Sequence, residues 1–187
     1  MMEQRLGATR RAVFMEGGHD GVPIALGYFV VAFTLGILAK TAGLSAWQGF
    51  VTSAVNIASA GEYAGFTVIA AQAPYLEIAV LTLVANARYF LMAAALAQRF
   101  APDTPLLHRL AVSFGVTDEV FGITVARGGM VQPYYNYGAL AISVPAWSAG
   151  TSAGILAGGI LPAAAVSALS VALYGMFVWV ILPPAKK

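Results

Sequence analysis

Three short polar groups stand inside otherwise apolar sequence: Ser59-Ala60-Gly61-Glu62, Asn86-Ala87-Arg88 and Thr117-Asp118-Glu119. The arginine is the most telling. It lies at the middle of residues 77–97 (EIAVLTLVANARYFLMAAALA), which, read as one helix, span roughly 31 Å, about the thickness of a bilayer's hydrocarbon core. Arg88 is then about 15 Å from either end, too deep to snorkel to water. Facing lipid, its charge would cost at least ~2.5–3.5 kcal/mol. It therefore faces a partner, a wet cavity or a solute, and transport is the leading reading.

Asp118 and Glu119 fall near the centre of another apolar stretch, with Gly115 and Gly122 one turn away on the same side. Such glycines let a backbone or a ligand come close. Two adjacent carboxylates in low dielectric are costly to ionise together. One is expected to pair with Arg88, and the other to exchange protons. Alternatively both acids are structural, or Thr117 caps a helix here and exposes them. Ser59-x-x-Glu62 fits a capping box, with Ser59 as N-cap and Glu62 at N3. A helix starting there would begin inside the membrane with unpaired, partly positive N–H groups, suited to a substrate carboxylate. The alternative is a kinked, continuous helix. On one helix, Asn86 and Arg88 stand roughly 200° apart, so protein is expected all round it.

Other candidates are weaker. Glu16, His19 and Asp20 precede the first apolar run without a third or fourth ligand in view, so no metal is expected, and an interfacial amphipathic segment is the simpler reading. His108 is expected in a loop, and Trp147, Trp179 and the tyrosines 134, 135 and 137 at interfaces or lining a pore. No phosphate-binding loop, nucleophile elbow or zinc helix occurs, so neither a cofactor nor enzymatic activity is expected.

The elements that must position these groups are hydrophobic helices. The chain has 187 residues, 59% hydrophobic and 10% charged, with a mean hydropathy of +0.78. Soluble domains carry about a quarter charged residues. This points to an all-α polytopic membrane protein, one domain over residues 1–187. Six apolar stretches are expected, at residues 22–39, 46–73, 77–97, 110–126, 137–157 and 163–182, the second broken near Ser59–Glu62. The net charge of +2 forms no basic stripe, so nucleic-acid binding is unsupported, and the absence of cysteine excludes disulfides.

With every stretch crossing and the N-terminus inside, Arg5, Arg10, Arg11, Arg127, Lys186 and Lys187 fall inside, against Lys40, Arg99 and Arg109 outside. A re-entrant second stretch would even this to five against four. Both arrangements put the N-terminus in the cytoplasm. Residues 34–39 (TLGILA) and 152–157 (SAGILA) form a faint internal echo, either a repeat or a product of composition.

Several longer strings resemble the AzlC family, the larger subunit of branched-chain amino acid exporters. They are residues 21–45 (GVPIALGYFVVAFTLGILAKTAGLS), 59–66 (SAGEYAGF), 86–100 (NARYFLMAAALAQRF), 116–123 (VTDEVFGI) and 145–162 (PAWSAGTSAGILAGGILP). The resemblance implies an inner-membrane secondary transporter exporting leucine, isoleucine, valine and related amino acids. It implies a small AzlD-like membrane subunit as partner. The family's functional positions carry over to Ser59, Gly61, Glu62, Asn86, Arg88, Thr117, Asp118 and Glu119. Relatives usually continue beyond Pro183-Pro184, so the resemblance also implies a chain shortened at its C-terminus. The rival reading is a non-transporting membrane subunit packed against a small partner.

Overall fold

The computed structural model describes residues 9–160 and the single positions 162, 164, 168 and 171. Only positions 164, 168 and 171 of the sixth expected stretch, residues 163–182, are among the described residues. Among these the chain is all helical: α1 (Arg10–Thr41), α2 (Ala46–Val55), α3 (Ser59–Ala70), α4 (Tyr75–Ala85), α5 (Ala87–Ala97), α6 (Leu106–Phe114), α7 (Asp118–Ala126) and α8 (Pro133–Ala157). Among the described residues, only α1 and α8 are unbroken helices long and apolar enough to cross a membrane, and the bent pair α4–α5 makes a third candidate. The second and fourth expected stretches are also broken pairs, so among the described residues continuous spans are fewer than the five stretches expected there.

The breaks have local causes. Residues 77–97 are not one helix: Asn86 leaves helical geometry at φ −96° and ψ 2°, and the pair bends by 46°. The angular argument that set Asn86 and Arg88 on opposite faces therefore lapses. Residues 110–126 divide at 115–117, where Thr117, extended at φ −127° and ψ 172°, accepts a hydrogen bond from Val120 N–H and starts α7. Residues 46–73 divide at 56–58. There the expected capping box is absent: Ala58 is the N-cap and no side chain caps α3. The capping box of this region lies earlier, at Ser45 and Gln48, which exchange side-chain and backbone bonds at the start of α2. Gly43, at φ +82°, closes α1 in the left-handed region that favours glycine, with Leu44 N–H reaching back to Ala39 C=O.

Contacts divide the chain into two compact units, residues 1–28 with 86–146, and residues 29–85 with 147–187. The first unit has a core of Leu96, Phe100, Val112, Val116 and Val131, flanked by Met92, Phe121 and Tyr137. In it the start of α1 packs directly on the start of α8. A Cβ on Gly17 would strike the Tyr135 carbonyl, one on Gly21 would stand 2.9 Å from Ala139 Cα, and one on Gly138 would strike the Phe14 carbonyl. Positions rise together along both helices, so they run parallel.

The second unit holds the remainder of α1, α2 to α4 and the remainder of α8, with α3 packed on α4. Here Gly36 presses on Thr151 and Gly154, and Gly150 on Phe29. The TLGILA and SAGILA strings are thus two faces of one close helix contact. A second echo emerges from the helix boundaries. Glu62-x-x-Gly65-Phe66-Thr67-Val68 of α3 matches Glu119-x-x-Gly122-Ile123-Thr124-Val125 of α7.

Candidate functional site

In the first unit, α5 and α7 bring their N-terminal turns together. Arg88 is the second residue of α5 and Asp118 the first of α7. Arg88 Nη2 lies 2.8 Å from Asp118 Oδ2, with the two side chains 36% and 41% exposed. A cation at a helix N-terminus is unfavourable, whereas carboxylates there are favoured by about 0.3–1 kcal/mol each. Asp118 thus offsets the misplaced charge of Arg88, as the sequence led us to expect.

Glu119 is the other carboxylate. It is exposed in this chain, and its Oε2 accepts a 2.6 Å hydrogen bond from Tyr28 Oη of α1. Tyr28 Oη also lies 2.5 Å from Thr117 Oγ1. Arg88 keeps spare donor capacity: Nη2 reaches Tyr89 Oη at 3.4 Å, and its buried Nε has no partner among the described residues. Its guanidinium also lies 5.2 Å from the Tyr89 ring centroid. The cluster therefore contains one cation and two carboxylates, open on one side.

Ser59, Gly61 and Glu62 belong to the second unit and are held differently. Ser59 opens α3, Gly61 is buried, and the Glu62 carboxyl is enclosed by Ser53 of α2 and Trp147 of α8. The backbone N–H of Glu62 bonds Ala58 C=O at 2.8 Å, so it is not the free donor expected from the sequence.

Other residues complete these sites, some of them placed differently from the sequence reading. Tyr28 had no local signal. Trp147, expected at an interface or in a pore wall, is 3% exposed and donates to Glu62. His108 is on α6 rather than in a loop, with Nδ1 2.8 Å from Tyr137 Oη. Gly115 packs on Leu140 as its small size permits, whereas nothing lies within 4 Å of a Cβ on Gly122. The Glu16-x-x-His19-Asp20 string is committed elsewhere in the first unit. Glu16 takes a two-pronged ion pair from Arg127, at 3.0 and 2.8 Å, and Asp20 accepts from Tyr135 Oη at 2.7 Å. Those bonds from Glu16 raise the Arg127 pKa, against a smaller opposing effect of desolvation.

Comparison with known proteins agrees with the helical, membrane-embedded character. The family described as AzlC protein matches residues 23–161. An uncharacterized membrane protein of Archaeoglobus fulgidus is 30% identical over 180 residues, 95% of this chain and 78% of that protein. The inner membrane protein YgaZ of Escherichia coli is 33% identical over 121 residues, 64% of this chain and 49% of YgaZ. No solved structure matches significantly.

Proposed function

The chain belongs to the AzlC family of membrane proteins, and on that premise we propose that it is a secondary transporter subunit that exports branched-chain and related apolar amino acids across the inner membrane. The observation that carries this reading is the half-open cluster of Arg88, Asp118 and Glu119 at two helix N-termini. A zwitterionic amino acid needs a cation for its carboxylate and an anion for its ammonium, side by side. The unused guanidinium donors of Arg88 suit the first, and Glu119 suits the second. With both acids ionised the cluster carries one negative charge in excess, so a proton can join or leave it with the substrate. A small AzlD-like subunit completes the assembly in this reading, and the N-terminus lies in the cytoplasm.

Leucine flux in proteoliposomes, with and without a small partner subunit, tests the proposal. Wild type is expected to exchange leucine, and Arg88→Ala to lose at least tenfold in rate, the equivalent of about 1.4 kcal/mol. Glu119→Gln is expected to lose gradient-driven export. Retention of gradient-driven export by both Asp118→Asn and Glu119→Gln would refute the coupling. The exposed apolar side chains of α4, such as Leu76, Leu83 and Val84, favour a second reading, a subunit that packs against a partner without moving solute. Absence of flux from the complete assembly would support it.

A further inference from the structure

The Glu62 carboxyl takes no part in the amino-acid site proposed above. It is 1% exposed, among fully buried Ser53 and Thr151. Trp147 Nε1–H donates to its Oε1 at 2.6 Å, and Ser53 Oγ lies 2.8 Å from its Oε2. Ser53 Oγ is also 2.7 Å from Thr151 Oγ1, which is 3.5 Å from the Trp147 carbonyl.

Ser53 has one proton and two oxygen neighbours, so the chain of hydroxyls must point one way or the other. In one sense Thr151 donates to Ser53 and Ser53 to an ionised Glu62. In the other a protonated Glu62 donates to Ser53, Ser53 to Thr151, and Thr151 to the Trp147 carbonyl. The heavy atoms need not move between the two; hydroxyl rotation suffices.

Charge decides which sense prevails at rest. The groups bonded to Glu62 are Ser53 from α2 and Trp147 from α8, with Thr151 of α8 bonded to Ser53, and all are uncharged. The other ionisable residues among those described in this unit are Lys40, Tyr63, Tyr75 and Glu77, with Lys40 and Glu77 exposed near helix ends. No cation pairs with Glu62 among the described residues, and an ionised carboxylate sealed in without one is strongly disfavoured.

We infer that Glu62 is a proton-binding site: a neutral acid at rest, whose ionised form the same hydroxyls and indole can accept when the proton leaves. Its ligand is the proton itself, and the inference stands on residues distinct from the amino-acid cluster.

Infrared spectroscopy of the purified full chain in detergent tests it without any transport measurement, so a failed flux assay leaves it untouched. At pH 7 the difference spectrum of wild type minus Glu62→Gln is expected to contain the carbonyl stretch of a protonated, hydrogen-bonded carboxylic acid. That band is expected to shift in Ser53→Ala, which removes the acceptor. A difference spectrum with carboxylate bands alone, or a protonated band indifferent to Ser53→Ala, would overturn the inference. Glu62→Gln reproduces the neutral hydrogen-bond sense and is expected to melt with wild type at pH 7. A markedly lower melting temperature would mean that the ionised form is the resting one.

Discussion

Thr117 shows how one side chain can join local and distant structure. Its hydroxyl accepts from Val120 N–H at 3.3 Å, capping α7, and meets Tyr28 Oη across 89 positions of sequence. Tyr28 has one proton to place between the Thr117 hydroxyl and the Glu119 carboxylate. The carboxylate of Glu119 is the stronger acceptor, which leaves the Thr117 proton for the tyrosine oxygen. Thr117→Val is expected to cost about 0.5–2 kcal/mol through the lost cap, and Thr117→Ser to recover most of it. Thermal melting in detergent measures both, and equal melting of Thr117→Val and wild type would contradict the cap. The cap was only an alternative in the sequence reading, because a threonine before two acids fits a helix start but here stands inside an apolar run. Tyr28 was not readable, because nothing near it in sequence announces a partner so far along the chain.

Helix breaks were the least legible elements. The Ser59–Glu62 string looked like a cap, yet the chain reverses its local conformation three residues earlier, and the Glu62 side chain turns to Ser53 and Trp147 instead of to its own backbone. Ser45-x-x-Gln48 offered the same kind of signal and does form the box. In apolar sequence the pattern alone cannot choose between the two, because lipid-facing and protein-facing sides are equally hydrophobic and no period marks the face. The pairing of Arg88 with Asp118 was more legible, since charges set in apolar stretches seek each other. Close helix contact, in contrast, can be tested one glycine at a time. Gly138→Ala drives a methyl into the Phe14 carbonyl, whereas Gly27→Ala meets nothing within 4 Å. The first is expected to destabilise by about 1–3 kcal/mol, and the second to be neutral or stabilising by up to about 1 kcal/mol. Urea or thermal unfolding in detergent distinguishes them.

At the scale of the whole molecule, the parallel course of α1 and α8 in the first unit constrains topology. Two bilayer-crossing helices that run the same way need an odd number of crossings between them. The arrangement in which only α2–α3 re-enters gives two, which does not fit crossing by both α1 and α8. Crossing by α2–α3, α4–α5 and α6–α7 alike gives three and satisfies the rule. The chain contains no cysteine, so single-cysteine labelling needs no altered background. Thr9→Cys and Met130→Cys are expected to react with an impermeant maleimide from one side of the membrane, and Thr41→Cys and Gly159→Cys from the other. Labelling of Thr9→Cys and Met130→Cys from opposite sides would refute the parallel arrangement.

The glycine face of α1 also sets an order of events during synthesis. Its partners on α8 are encoded more than a hundred residues later, as the Asp20–Tyr135 bond at a separation of 115 illustrates. Ribosomes add roughly 5–20 residues per second. The first helix therefore waits several seconds with a notched surface towards lipid or the insertion machinery, and its contact with α8 can close only when that helix emerges.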